Sequence, residues 1–131
     1  MSRALHHMIP AAPTPVAPFS HAVESDGWIY TSGQIPQNPA DPDGPMPGGI
    51  IEQTHRCMRN LVAVLEGLEL TLADGVSVRV YLTHFYDDYD AMNATYESYF
   101  PVGQRPARTC IGVTGLARQA RVEIDMVARK G

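Results

Sequence analysis

The sequence holds only two cysteines, Cys57 and Cys110, in 131 residues. Two are too few for a disulfide framework, and a reducing, cytoplasmic setting is the expectation. The five histidines stand at no metal-ligand spacing to those cysteines, so no structural zinc site is expected. Positive charge is scarce as well. Ten Lys and Arg face fourteen Asp and Glu, a formal net charge of -4. Phosphate backbones are held by clustered cations, so nucleic acid is not an expected partner. A small anion held by one placed arginine stays open. Long apolar runs are missing too. The longest clear one, residues 61–65, is far short of the ~20 residues that cross a bilayer, and no membrane partner is expected. The start of the chain has no apolar stretch of signal-peptide length. The P-loop and Rossmann fingerprints, GxSxG, HExxH and CxxC are all absent.

Gly and Pro are plentiful, eleven of each, and they punctuate the chain. The length predicts a single domain over 1–131 with little mass for enclosing a deep pocket. Pro10, Pro13, Pro15 and Pro18 forbid helix near the start. Residues 1–12 read as a flexible tail and the rest of the stretch as a tail or edge segment. Asp26-Gly27 between apolar runs signals a β-hairpin over about residues 19–32. Residues 36–49 carry five Pro and three Gly and read as a long stiff loop.

Residues 50–69 predict an amphipathic helix. Its stripe runs Ile50, Ile51, Thr54, Cys57, Met58, Leu61, Val64, Leu65 and Leu68, with Gln53 and Asn60 mostly off it. Cys57 is then a small core residue. Residues 76–85 alternate as a strand. A second helix is expected from about Asp87 to Phe100, capped by Asp87 or Asp88, with Asn93 inside its apolar stripe. Such an Asn reads as a core residue tying down a loop. Residues 108–114 and 121–128 are two last strands, joined by a connection of hairpin length. That hairpin would set Cys110 opposite Glu123, with Arg108 nearby.

The order β-β-α-β-α-β-β predicts an α+β fold, a mixed sheet with both helices packed on one face. The other face, carrying Cys110 and Val127, is left bare, which calls for an oligomer. Two readings of Arg108 stand at this point. It forms a structural pair with Glu123, because a buried charge needs a partner. Or it anchors a carboxylate, with Glu123 as a nearby acid–base group.

At these residues the sequence resembles the RidA family of YjgF-type reactive intermediate deaminases. The matching stretches are residues 18–23 (PFSHAV), 30–36 (YTSGQIP), Gln53-Thr54 with Asn60-Leu61, residues 93–96 (NATY) with Tyr99-Phe100, 106–110 (PARTC) and Val122-Glu123-Ile124. They cover roughly residues 13–129. The resemblance implies a chorismate-mutase-like topology and a homotrimer with clefts between subunits. It implies hydrolysis of 2-imino acids, released as enamines, to 2-keto acids and ammonia without metal or organic cofactor. Arg108 matches the carboxylate-binding arginine and Glu123 the acid that positions or activates water. Cys110 matches a position whose main-chain groups meet the substrate. Ser32 and Asn93 match further cleft-lining positions, and Gly33 the turn beside them.

There are departures. Phe19 stands where members often carry Tyr, removing a hydroxyl, and is expected to line the substrate site. Gly112 replaces a larger, often acidic residue. The 38–48 loop is longer than usual, and the loop after Val113 lacks the usual Leu-Pro-x-Gly. A deaminase of aminomuconate-type acids, a non-catalytic carboxylate- or protein-binding trimer, and an RNA-directed activity are the alternatives. The acidic balance weighs against the last.

Overall fold

The computed structural model describes residues 3–131. Asp26 (φ 51°) and Gly27 (φ 83°) turn the chain between β2 (Ala22–Ser25) and β3 (Trp28–Thr31). Two successive left-handed residues match the twist of a tight hairpin, which is why Asp-Gly serves there. The chain continues through α1 (Ile50–Glu66), β4 (Gly75–Leu82), α2 (Phe85–Glu97), β5 (Ala107–Gly112) and β6 (Val122–Arg129). One six-stranded sheet runs β1-β2-β3-β6-β4-β5, where β1 is Leu5–His7.

That first strand corrects the flexible tail expected over 1–12. Residues 1 and 2 lie outside the described residues. Of the rest, Leu5–His7 pairs antiparallel with β2, and Ile9 and Ala12 are buried in the core. The buried His21 ring holds the following stretch: its Nδ1 accepts the Ile9 N–H at 2.8 Å, and its Nε2 donates to the Pro13 carbonyl at 2.7 Å. A proline-dense stretch cannot satisfy itself with a ladder, so a side chain from the sheet supplies the bonds.

α1 buries Cys57, Met58, Leu61, Val64 and Leu65 against the sheet, while Ile51 points outward and is exposed. Gln53 and Asn60, read as lying off the stripe, are buried. Asn60 donates to the carbonyls of Ile35 (3.0 Å) and Gln37 (2.8 Å), and Gln53 donates to the carbonyl of Pro47 (2.6 Å). The Pro-rich loop lies on this side of the helix, and its orphaned carbonyls draw the two amides inward.

α2 starts at Phe85 with His84 as N-cap, three or four residues before the aspartates expected to cap it. Asp88 is already inside the helix, its N–H donating to the His84 carbonyl. Its buried carboxylate takes Arg121 in a forked pair, 2.9 Å to Nε and 2.7 Å to Nη2. An acid with that use available does not serve as a cap.

The hairpin expected between the last two strands does not form. β4 lies between them, antiparallel to β6 and parallel to β5. α2 is long enough to return the chain parallel to β4, which is the ordinary βαβ crossover. The segment after β5 then steps past the end of β4, fastened by Val113 N–H to Leu82 O (2.9 Å) and Thr83 N–H to Arg121 O (3.1 Å).

This order decides the faces. Val78, Val80 and Leu82 face the helices, opposite Arg108, Cys110 and Gly112 on one side and Met126, Ile124 and Val122 on the other. Glu123 pairs with Tyr81 and Asp125 with Arg79, on the bare face. Cys110 is therefore on the helix face, against expectation. The bare face carries Tyr30 (51% exposed), Ile111 (47%), Val127 and Thr109.

Candidate functional site

Arg108 and Glu123 occupy opposite faces of the sheet, in place of the pair that a hairpin would have made. Two strand spacings and a three-residue offset set their Cα atoms about 14 Å apart. Among the described residues, neither enters an ion pair. The structural Arg–Glu reading is excluded within one chain.

The first group is built around Glu123. Gln34 bridges to Ile124 through both backbone bonds (2.8 and 3.1 Å), which sets the 32–35 segment against β6. Gly33 lies directly over the Glu123 carboxyl, where any Cβ would collide with Cδ and Oε2. The position tolerates no side chain while Glu123 keeps its place. The Ser32 hydroxyl donates to the Ser20 carbonyl at 2.6 Å, pinning the strand before it. Glu123, Ser32, Gly33, Phe19, Val16 and Ala117 line one cavity of about 340 Å³, whose walls also include Pro13, Pro15 and Ile35. Burial pushes the Glu123 carboxyl above the usual carboxylate range, and Asp125 on the same face pushes it further. Asp125 itself accepts from Arg79 Nε (2.9 Å) and from the Tyr81 hydroxyl (3.2 Å).

The second group is built around Arg108. Its Nη1 donates to Asn93 Oδ1 at 2.7 Å, and its guanidinium carbon sits 5.0 Å from the Tyr96 ring centroid. Asn93 is half-buried, and it orients a guanidinium instead of tying down a loop. Tyr96 belongs to the 93–96 stretch that carries the family resemblance, which gives it no role of its own. Its place three residues after Asn93, on the same helix face, is the signal that links the two. Asn93, Tyr96, Arg105, Pro106, Arg108 and Glu97 line a second cavity, of about 240 Å³.

Cys110 lies two residues beyond Arg108 on the same face of β5, beside Phe85 and Gly112 in a separate shallow hollow. Burial raises its thiol against the pull of Arg108, so it is not poised as a thiolate. Cys57 is fully buried, its thiol pushed well up by burial. Among the described residues no three His, Cys, Asp or Glu side chains could hold a metal ion, and no helix is long and apolar enough to cross a membrane.

Phe19, Ser32, Gly33 and Glu123 thus come together, Asn93 and Arg108 come together, and one chain does not join the two groups.

Two helices packed on one face of a mixed sheet, with this strand order, place the chain in the class of small chorismate-mutase-like α+β proteins. The profile of the Endoribonuclease L-PSP family matches residues 9–130, and the chain belongs to that family, the group of RidA and YjgF. A RutC family protein of Aquifex aeolicus is 40% identical over 122 residues, covering 92% of this chain and 95% of its own. A 2-iminobutanoate/2-iminopropanoate deaminase of Escherichia coli is 33% identical over 119 residues, covering 89% and 91%. The crystal structure of the YjgF gene product from E. coli is 30% identical and superposes with a TM-score of 0.85, covering 95% and 99%.

Proposed function

We propose that this protein hydrolyses reactive 2-imino acids and their enamine tautomers to 2-keto acids and ammonia, at sites shared between neighbouring subunits of a homotrimer. The observation that carries the reading is the Arg108 guanidinium, held by Asn93 and Tyr96 and in no ion pair among the described residues. A guanidinium fixed in this way is prepared for the carboxylate of a ligand. The similarity to an E. coli protein named as such a deaminase supports the substrate class. The split of Arg108 and Glu123 between faces, and the apolar residues on the bare face, support completion by a second copy.

The chemistry asks little of the protein, because an imine carbon is already electrophilic. Arg108 fixes the carboxylate, so C2 is presented in one orientation. Glu123 of a neighbouring copy takes a proton from water as the oxygen adds to C2 and the C=N bond becomes single. The same carboxyl returns the proton to nitrogen. The C–N bond then breaks with its electron pair on nitrogen, the hydroxyl proton passes through the same carboxyl to that nitrogen, and ammonia leaves as the C2–O bond becomes a carbonyl. No covalent nucleophile is called for, which suits a Cys110 thiol kept protonated by burial.

The test is a coupled assay in which a dehydratase generates 2-aminoacrylate or 2-iminobutanoate and imine decay is followed. The wild-type chain accelerates decay. Arg108→Ala loses about a hundredfold or more in kcat/KM, with KM strongly raised, as expected for one lost charge-assisted anchor. Full activity in Arg108→Ala refutes the proposal. Binding of 2-ketobutyrate without turnover would make the protein a carboxylate binder instead.

A further inference from the structure

Arg105 is not needed by the reaction just described, yet it faces the same cavity as Arg108. It lies in the 101–106 connection ahead of β5, with Pro106 between it and the strand, so its backbone direction is restricted. Its one ion pair is a loose contact with Glu97 at 3.8 Å, between side chains 45% and 65% exposed. Such a surface pair holds little and yields readily to a better-placed carboxylate. Glu97 is also the only acid on this lining, against two guanidiniums.

Tyr96 lines the cavity with its ring, while its hydroxyl is buried out of reach of solvent and has no hydrogen-bond partner among the described residues. Asn93 has committed only its carbonyl oxygen to Arg108, so its amide hydrogens are further donors at the same wall. Two guanidiniums and the Asn93 amide exceed what one carboxylate uses.

We infer that this site selects acids with a second carboxylate: dicarboxylic 2-imino acids and their 2-keto products, with Arg108 on the C1 carboxylate and Arg105 on the distal one. The inference rests on the reading of Arg108 given above and adds Arg105 as the residue that determines specificity.

Two measurements separate this from the deaminase reading itself. In the first, 2-oxobutanoate and 2-oxoglutarate are titrated into the protein by calorimetry, which needs no turnover. In the second, decay of 2-iminobutanoate is compared with that of 2-iminosuccinate generated by an aspartate-oxidising enzyme. The dicarboxylate is expected to bind about tenfold or more tightly than the monocarboxylate, with the same preference in kcat/KM. Arg105→Ala lowers that ratio to near one, acting on KM, and Arg105→Lys restores part of it. A preference present in binding but with no turnover of either imine leaves this inference standing and removes the deaminase reading. Turnover with no preference, a preference unchanged in Arg105→Ala, or a loss shared equally by both ligand classes overturns it.

Discussion

Glu123 sits beside Asp125 in a cavity wall of mixed polarity, and both its burial and that neighbour raise the affinity of its carboxyl for a proton. Adding water to C2 needs the ionised carboxylate. The acid limb of kcat therefore falls as pH drops through this ionisation, and it lies above the ordinary value of 4.5. A pH–rate profile is expected to show that limb in the wild type and to lose it in Glu123→Gln. A limb at the ordinary carboxylate value would remove the role given to burial.

Arg108 stood out because an arginine amid strand signals demands a partner. The resemblance puts Asn93 in the same cleft, but helical periodicity alone makes it part of a stripe, and its bond to Arg108 depends on α2 and β5 lying side by side. Phe19, Ser32 and Gly33 carry no charge pattern of their own. Only the bridge from Gln34 to Ile124 brings them to Glu123.

At the scale of elements, the buried Asp88–Arg121 fork ties α2 to the start of β6, and Arg121 N–H donates to Gln53 on α1 at 2.9 Å. Three elements meet at one ion pair. Asp88→Ala leaves the guanidinium without its partner. Arg121 is one-third exposed and recovers some hydration, so the cost is about 2 kcal/mol, below that of a fully buried pair. Urea denaturation is expected to show that loss as a lowered midpoint with an unchanged slope. Activity falls with it, because α2 carries the Asn93 that orients Arg108.

Helix positions, the Asp-Gly hairpin and the inward faces of β4 and β6 were readable because each depends on a local period of 3.6 or 2 residues. The strand order was not. Placing β5 beside β6 is the local choice for two strands joined by a short connection. The long-range pairing of β4 with β6 displaces it, and periodicity carries no record of which strands meet. That one exchange moved Arg108 and Cys110 to the other face and separated the candidate acid from the candidate anchor.

For the whole molecule, a sheet with one uncovered face and two half-sites that never meet within a chain predicts assembly. Light scattering is expected to return about three times the 14.3 kDa of one chain. Placing a charge in the bare face, as in Ile111→Glu, should shift that mass downward and remove turnover together with it.

The insertion of β4 between β5 and β6 has a consequence for how defects combine. In the trimer proposed above, Arg108→Ala and Glu123→Gln would each disable every site of a uniform assembly. Unfolded together in equal amounts and refolded, the two chains assort at random. Wherever an intact Arg108 on one copy meets an intact Glu123 on the next, a whole site is rebuilt. About a quarter of the sites satisfy that condition. Two inactive preparations would thus complement each other to about that fraction of normal turnover, which a site contained within one chain cannot do.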